Sequence, residues 1–369
     1  MWNAQAGQGI AWTADAGLDS KSSPVVWGGR VFLTGANKTS RKVYAYDTKT
    51  GQRLWESDLP PVKPSSSTVP EISEDTGYAA STPATDGRRV YAIFANGDIG
   101  AFDYQGKALW ARALGIPESQ YGFAASLVLW RDRVIVQFDQ AGPDDGKSRL
   151  LALDSATGDT AWEVTRPVGG SWASPIVTRP DAGEQVVASA NPWVIAYNPS
   201  DGAEMWKAEC MSGDVAPSPT AAGAMVYAVN QGACLAAIRT DGFGAVTGTH
   251  IAWKATDGLP DVTSPATDGR CVWLLTSGGT VTCYDAKDGR KLWEKELNSS
   301  FSSSPTVAGS RVYAVAEDGK AFVFEAAAEY KEVGTAELGE KVYASPAFAD
   351  GRIYIRGSKH LFCVGVQKP

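Results

Sequence analysis

Histidine and cysteine are scarce in this chain of 369 residues. Its two histidines, His250 and His360, are too few for a multi-histidine metal site. Its five cysteines include no Cys-x-x-Cys spacing, and an odd number cannot all be paired, so buried free thiols are expected instead of a zinc site or a disulfide framework. No metal site is predicted. Because the sequence singles out no nucleophile, no catalytic residue is predicted either.

Long apolar runs and clusters of basic residues are also missing. No apolar run reaches the roughly 18 residues of a membrane-spanning helix, so no transmembrane segment is predicted. The net charge is −7 and no stretch concentrates Lys and Arg, which argues against nucleic acid as a partner. The first residues, MWNAQAGQGI, contain neither the charged nor the apolar region of a signal peptide, so no export signal is expected in this chain.

Strand-forming segments, by contrast, recur along the whole chain. Each is rich in β-branched and aromatic residues. They lie at residues 30–35, 89–94, 133–138, 185–190, 225–230, 271–276, 311–316 and 352–357. Copies separated by roughly 40 to 60 residues, with several strand signals in each interval, are typical of a β-propeller.

A Ser-Pro or Thr-Pro pair precedes seven of these eight segments, and Ser126-Leu127 precedes the third. Proline cannot donate to the hydrogen-bond ladder of a sheet, so the pairs fit an edge strand that lines a central channel. The pairs are Ser23-Pro24, Thr82-Pro83, Ser174-Pro175, Ser218-Pro219, Ser264-Pro265, Ser304-Pro305 and Ser345-Pro346.

The last repeat ends without room for an outermost strand, and residues 9–16 have the pattern of one. We expect residues 9–16 to complete the last blade, which would remove an exposed sheet edge. The sequence therefore predicts an all-β, eight-bladed propeller of four-stranded antiparallel blades. We expect it to form one domain over residues 1–369 and to be a monomer.

A second motif recurs as AYDTKTGQRLWE (45–56), ALDSATGDTAWE (152–163), AYNPSDGAEMWK (196–207) and CYDAKDGRKLWE (283–294). In the first copy, Asp47 is expected to accept backbone N–H bonds of a turn, and Gly51 to adopt a positive φ. Trp55 is expected to pack between blades. Val333 takes the tryptophan position of the seventh repeat in this alignment. The motif thus predicts architecture and not a ligand site.

The motif resembles the tryptophan-docking repeat of the pyrroloquinoline-quinone (PQQ) β-propeller family, on Ala45, Asp47, Gly51, Trp55 and their equivalents. That family contains quinoprotein dehydrogenases, which bind the quinone and calcium on the propeller axis. It also contains non-catalytic propellers, such as the BamB-like lipoproteins of outer-membrane β-barrel assembly. The resemblance implies export to the periplasm or cell surface.

Quinoprotein dehydrogenases typically stack the quinone between a Trp and a disulfide of two adjacent cysteines, and this chain has no adjacent cysteines. If Gly278-Gly279 is a two-residue turn, Cys271 and Cys283 point to opposite faces of their hairpin and cannot bond. The family's calcium-binding residues have no matching positions that we can identify. We therefore predict no cofactor and no dehydrogenase activity, and we place the chain nearest to the BamB-like members.

The segments before the inner strands are predicted to converge on one mouth of the channel, where loops carry function. Aromatic and acidic residues on these segments are candidates for binding a partner: Tyr78, Tyr121, Trp172, Phe301, Tyr343, Asp75, Asp214 and Asp261. The alternative is that the rings only cap the end of the core. The loop of residues 59–77 has no strand pattern and is predicted to be a lid or a docking peptide.

Two classes of function follow from these observations. The first is a non-catalytic scaffold that binds protein partners, such as those of the cell-envelope assembly machinery, as the resemblance to BamB-like proteins implies. The second is an enzyme of the quinoprotein type, another small-ligand binder, or the sensor domain of an exported protein.

Overall fold

A computed structural model describes residues 1–62, 71–181 and 183–365. Within these residues the chain forms strands β1 to β33 and one short 3₁₀ helix, Pro143–Asp145. The strands are arranged in eight sheets, each of which is one blade. The predicted all-β, eight-bladed propeller is confirmed.

Blades 1 to 4 follow each other along the chain. Blade 1 contains β2 (Val25–Trp27), β3 (Arg30–Ala36), β4 (Arg41–Asp47) and β5 (Arg53–Asp58). Blade 2 contains β6 (Ala84–Thr85), β7 (Arg89–Ile93), β8 (Asp98–Asp103) and β9 (Ala108–Ala113). Blade 3 contains β10 (Val128–Trp130), β11 (Arg133–Phe138), β12 (Arg149–Asp154) and β13 (Thr160–Thr165). Blade 4 contains β14 (Ile176–Thr178), β15 (Gln185–Ala190), β16 (Trp193–Tyr197) and β17 (Glu204–Glu209).

Blades 5 to 8 complete the ring. Blade 5 contains β18 (Thr220–Ala222), β19 (Met225–Val229), β20 (Leu235–Arg239) and β22 (Ile251–Ala255). Blade 6 contains β23 (Ala266–Thr267), β24 (Cys271–Leu275), β25 (Thr280–Asp285) and β26 (Lys291–Glu296). Blade 7 contains β27 (Thr306–Ala308), β28 (Arg311–Val315), β29 (Lys320–Glu325) and β30 (Glu332–Glu337). Blade 8 contains β31 (Ala347–Ala349), β32 (Arg352–Arg356), β33 (His360–Val364) and β1 (Ile10–Asp15).

The two ends of the chain meet in blade 8. The N-terminal strand β1 pairs antiparallel with β33, with Ile10 opposite Val364 and Asp15 opposite His360. The inner strands β31 and β2 are neighbours, so blade 8 also contacts blade 1 around the axis. The last blade is therefore completed from the N-terminus, and β33 is covered by β1 instead of being left as the edge of the sheet.

The serines and the threonine of the Ser/Thr-Pro pairs form a closed ring of hydrogen bonds. Each donates its backbone N–H to the side-chain oxygen of its counterpart in the next blade, at 2.8 to 3.1 Å. Ser345 closes the ring by donating to the Ser23 hydroxyl at 3.0 Å. Ser126, which lacks the following proline, keeps its place in the ring. Each inner strand begins directly after the second residue of its pair.

The tryptophans of the second motif join each blade to the next. The Trp55 indole donates to the carbonyl oxygen of Tyr104, in the turn before the outer strand of blade 2, at 2.8 Å. Five other motif tryptophans make the same bond at 2.9 to 3.1 Å: Trp12, Trp110, Trp162, Trp253 and Trp293. The predicted packing role of these residues is thereby explained, since one indole both fills a joint and satisfies a turn carbonyl.

The motif glycine serves the tryptophan of the preceding blade. Gly51 has φ +73°, as predicted for its turn. A Cβ at Gly51 would lie 2.5 Å from a ring atom of Trp12, so a larger residue would displace the indole. Asp47 accepts the N–H groups of Lys49 and Thr50 at 2.9 and 2.8 Å. Each copy of the motif therefore takes part in two joints. Its tryptophan contacts the next blade, and its glycine makes room for the tryptophan of the preceding blade.

One blade departs from four strands. Residues 240–250 form a longer connection in blade 5, and its short strand β21 (Gly244–Ala245) pairs parallel with β17. Blade 4 therefore has five strands. Trp206 lies under this insertion and donates to the Gln185 side chain at 3.0 Å instead of to a turn carbonyl.

The register of blade 7 corrects one sequence alignment. Gly334, and not Val333, stands opposite Val323, as Trp55 stands opposite Ala45. The alignment was wrong because the turn before β30 is one residue longer than in the first repeat. Trp2, which the repeat pattern did not detect, packs at this joint in a buried cluster with Ala336 and Leu338.

The hairpin of Cys271 and Cys283 also differs from prediction. Its loop has three residues, 277–279, one more than predicted, because the Thr276 N–H donates to the Thr280 carbonyl at 3.0 Å. Cys283 therefore faces Trp273, and Cys271 lies on the same side of the sheet as Cys283. The expected opposite orientation is wrong. Both thiols are free, buried and close enough to interact, and burial raises their pKa values.

Candidate functional site

The eight predicted partner-binding residues all lie on connections between an outer strand and the next inner strand. In a four-stranded antiparallel blade, the outer strand ends on the side where the inner strand of the next blade begins. The connections therefore gather on one face of the ring, which we call the mouth. The other face is formed by the turns between the first and second strands and between the third and fourth strands of each blade.

The channel at the mouth is lined by the residues two positions before the hydroxyl ring. These residues are at least partly exposed, whereas most of their immediate neighbours in the sequence are buried. Because successive side chains of an extended segment point to opposite sides, the exposed ones point into the channel. The eight positions hold Lys21, Ala80, Ala124, Trp172, Ala216, Val262, Ser302 and Tyr343. Sequence reasoning found Trp172 and Tyr343 but missed Lys21 and Val262, although the constant distance from the Ser/Thr position could have revealed them.

Tyr121 and Trp172 form the centre of one cluster. Their rings make an edge-on contact with 4.9 Å between centroids, and the Trp172 indole donates to Ser119 Oγ at 3.1 Å. The segment 71–77 packs beside them, since Thr76 Oγ1 donates to the Tyr121 carbonyl at 3.0 Å. Asp75, on the same segment, is exposed and accepts from Ser73 Oγ at 3.1 Å. The structure thus brings together Asp75, Tyr121 and Trp172.

The other polar candidates are separated from this cluster. Tyr343 is covered by Lys21, whose Nζ lies 3.4 Å from the ring centroid, a close cation–π contact. Asp214 is exposed. Asp261 is half-buried and accepts from Ser277 Oγ at 2.9 Å, which ties it to a turn of blade 6.

Two aromatic candidates belong to the core. Phe301 has no exposed surface and packs against Phe322 with 6.0 Å between ring centroids. Its side chain therefore cannot face a partner, and we leave Phe301 out of the mouth surface. Tyr78 is half-buried and packs on the cluster of Phe32 and Phe94 at the joint of blades 1 and 2. For these two rings, capping of the core was the better interpretation.

The proposed lid, residues 59–77, is described only at its two ends. Residues 63–70 lie outside the described residues. Leu59 continues the outer strand of blade 1 by donating its N–H to the Arg41 carbonyl at 2.8 Å. A pocket of about 310 Å³ lies beside this end, lined by residues that include Arg41, Val62 and Asp98. The far end, residues 71–77, supports Tyr121 as described above.

Buried charge fixes the connections under the mouth. Arg166 begins the connection that carries Trp172, and its Nε donates to Asp139 at 2.8 Å with both side chains fully buried. Burial opposes the charge of Arg166, but Asp139 and Tyr197 together more than compensate, and the pKa of the guanidinium is raised. On the other side, Arg356 of blade 8 donates to the Leu18 carbonyl at 2.8 Å and also to the Thr34 carbonyl. Burial lowers the pKa of Arg356 to about 10.

Most of the exposed charges near the Tyr121–Trp172 pair are acidic. Glu71, Glu74, Asp75 and Glu118 are all exposed on the two segments that pack together there. Glu118 is paired with Lys147 at 2.7 Å. A partly apolar patch with negative charge at its edge is suited to a partner segment that is apolar and basic.

Comparison with known proteins identifies the family. The model of the family described as "Outer membrane protein assembly factor BamB" matches residues 1–141, 146–262 and 243–329. The chain belongs to this family. It is also similar to the outer membrane protein assembly factor BamB of Yersinia pestis, with 27% identity over 236 residues, which are 60% of this chain and 58% of the relative. The match thus spans less than two thirds of that relative's length.

Solved structures show the same fold. BamB from Moraxella catarrhalis superposes with a TM-score of 0.69 at 16% identity, and the match covers 98% of each chain. A quinohemoprotein alcohol dehydrogenase from Comamonas testosteroni superposes with a TM-score of 0.74 at 15% identity, covering 98% of this chain and 77% of the enzyme. At these identities the likeness concerns the fold alone.

The channel does not fit the quinone and calcium of such enzymes. Calcium takes oxygen ligands, most often from carboxylates. Among the eight channel-lining positions the only oxygen-bearing side chains are the hydroxyls of Ser302 and Tyr343, and Lys21 adds a positive charge. Within the described part of the chain, no group of three or more His, Cys, Asp or Glu side chains is placed to hold a metal ion. No described helix is long and apolar enough to cross a membrane.

Proposed function

We propose that this protein is a non-catalytic scaffold of the cell envelope, where its mouth surface binds a protein of the outer-membrane protein assembly machinery. The mouth surface consists of Asp75, Tyr121, Trp172, Asp214, Val262 and Tyr343. The observation that carries the proposal is the Tyr121–Trp172 pair, because it departs from the repeat and is half-exposed at the opening of the channel. Membership of the BamB family supports the same function.

Several features of the mouth suit a protein partner. Aromatic residues are enriched in protein interfaces, and Trp and Tyr often dominate their binding energy. Val262 is 46% exposed, which adds an apolar contact outside the core. The acidic residues 71, 74 and 75 lie on the segment that packs beside Tyr121, so we expect the partner to present an apolar segment flanked by Lys or Arg.

Periplasmic or cell-surface location and the lack of enzymatic activity are parts of this proposal. Membership of a family whose name describes an outer-membrane assembly factor supports both. The poor fit of the channel to a calcium-bound quinone supports the second part. We also propose that residues 1–369 act as a single domain.

Site-specific photo-crosslinking in intact cells would test the mouth. A photoreactive phenylalanine analogue at Val262 or Asp214 should capture a protein of the assembly machinery. The same analogue at Phe243, which is 86% exposed on the blade 5 insertion, should not capture that protein. Adding Trp172→Ala should weaken the capture at Val262.

Two crosslinking results would count against the mouth as the binding surface. Equal capture at Phe243 and Val262, or capture that Trp172→Ala does not change, would contradict the proposed role of the mouth. A variant at Phe301 is not informative, because loss of this buried ring would disturb the core. Purified protein that oxidises alcohols in the presence of quinone and calcium would contradict the non-catalytic role.

A further inference from the structure

The joint between blades 5 and 6 shows how a docking tryptophan is held. Trp253 packs against Tyr227 of its own blade and Tyr284 of the next, with ring centroids 5.9 and 6.5 Å apart. Its indole N–H donates to the Ala286 carbonyl at 3.1 Å. Ala222, at the end of the inner strand of blade 5, packs on the same cluster.

The joint between blades 7 and 8 has comparable walls but no tryptophan at the docking position of the outer strand. By their positions in the strand register, Tyr313 is the equivalent of Tyr227, and Ala308 is the equivalent of Ala222. Across the joint, Val364 takes the register position of Tyr284. At the position of Trp253 itself, blade 7 has Gly334.

A pocket opens between these walls. It has a volume of about 410 Å³, within the range of roughly 300 to 1,000 Å³ for small-ligand sites. Its described lining includes Ala308, Tyr313, Phe348, Ile353 and Val364, and Asp350 and Arg352 also contribute. Tyr313 contacts Phe348 with 4.8 Å between ring centroids, whereas Tyr227 contacts a tryptophan.

The N-terminal residues cover a different part of this joint. Met1 lies over Gly334, since a Cβ there would be 3.0 Å from the end of the Met1 side chain. Trp2 accepts the Glu337 N–H with its carbonyl at 3.2 Å, at the mouth end of β30, and its ring belongs to a buried cluster that includes Ala336, Leu338 and the pocket residue Val364. Neither Met1 nor Trp2 is among the described residues that line the pocket.

We propose that this pocket binds an indole ring, presented as the tryptophan side chain of a partner polypeptide. Six joints of the same molecule hold an indole between such walls, which is the argument for this ligand. Asp350 is exposed and supplies a carboxylate that can accept an N–H of the bound residue. Because the pocket lies beside the turn between β31 and β32, it opens on the face opposite the mouth and is independent of the proposed docking surface.

Titration with N-acetyl-L-tryptophanamide would test the pocket. Methyl NMR signals of Ile353 and Val364 should shift saturably, with a dissociation constant on the order of 1 mM, as expected for a single anchored ring. N-acetyl-L-leucinamide should bind at least several-fold more weakly. Ile353→Trp should abolish the shift of the Val364 signals, because the new side chain occupies the pocket.

Two further variants keep the test decisive. Phe348→Ala removes one wall without filling the pocket and should weaken binding about tenfold, which covers the case that Ile353→Trp does not fold. The positive control is a double variant. In it, Ile353→Trp fills the pocket, and Trp253→Gly opens an equivalent one at the joint of blades 5 and 6. Binding by this double variant, with no binding by the unaltered protein, would overturn the proposal. Binding by the unaltered protein that neither Ile353→Trp nor Phe348→Ala reduces would also overturn it.

Discussion

The joints between blades and the mouth of the channel are built in opposite ways. At the joints, one chemical arrangement is repeated around the ring: a hydroxyl accepts an N–H, and an indole covers a turn. At the mouth, the eight equivalent positions hold residues as different as Ala80, Lys21 and Trp172. Repetition therefore marks what the fold requires, and variation marks where a specific function can reside. Stability should depend on the joints and on the buried charges beneath the mouth, and partner binding on the exposed residues of the mouth.

The largest effect on stability is expected at Arg166. Arg166→Met leaves Asp139 buried without its ion pair, and breaking a buried pair in this way costs about 3 to 5 kcal/mol. Arg356→Met should cost less. Within the described residues Arg356 makes no ion pair, so its removal leaves only hydrogen-bond acceptors unpaired and relieves a buried charge. Urea unfolding of both variants would measure the difference, and an equal loss would contradict the distinction between the two sites.

A smaller effect is expected at the hydroxyl ring. Ser345→Ala removes the acceptor of the Ser304 N–H and should lower the free energy of unfolding by about 1 kcal/mol. Ser345→Thr is the matched control, because Thr82 already serves in the ring. Thermal unfolding of the two variants should separate them. A threonine variant as unstable as the alanine variant would show that packing, and not the hydrogen bond, is responsible.

The turn aspartates should make stability depend on pH. The N–H of Ala156 donates to Asp154 and holds the pKa of this carboxyl below its usual range. A lowered pKa stabilises the fold above the ordinary value of about 4, and this contribution is lost as the pH falls through the folded-state pKa. Asp154→Asn should flatten the stability curve below pH 4, since Asn198 accepts the same kind of bond in blade 4 without titrating. Parallel acid unfolding curves would contradict this.

The contrast between the repeated joints and the varied mouth also explains which features could be predicted from the sequence. The eight repeats, the closure by residues 9–16 and the roles of Asp47, Gly51 and Trp55 were all predicted, because each depends on a local pattern that recurs. The misplacement of Val333 and of Cys283 came from turn lengths, since one extra residue in a turn changes the register of a whole strand. Spacing within one chain does not show such an insertion when the repeats themselves vary in length.

The mouth was predicted only in outline, for a different physical reason. The sequence placed Phe301 and Trp172 on equivalent connections, yet one is fully buried and the other half-exposed. They differ because Phe301 stands three residues before its ring serine and Trp172 only two, and a one-residue shift turns a side chain from the channel to the core. Tyr121 and Trp172 come together by a direct ring contact between two successive connections, a tertiary contact without a sequence signal.

The smallest effect on stability is expected at Val262. This side chain is 46% exposed at the mouth, and substitutions at such surface positions usually change the free energy of unfolding by less than about 0.5 kcal/mol. Val262→Ser should therefore unfold like the unaltered protein and yet bind the partner more weakly, as measured by the crosslinking yield from a photoreactive group at Asp214. The joint variant Ser345→Ala should show the reverse, with lower stability and normal crosslinking at a temperature where it is folded. If Val262→Ser lowers stability as much as Ser345→Ala does, the mouth is part of the structural framework, and the separation between joints and mouth does not hold.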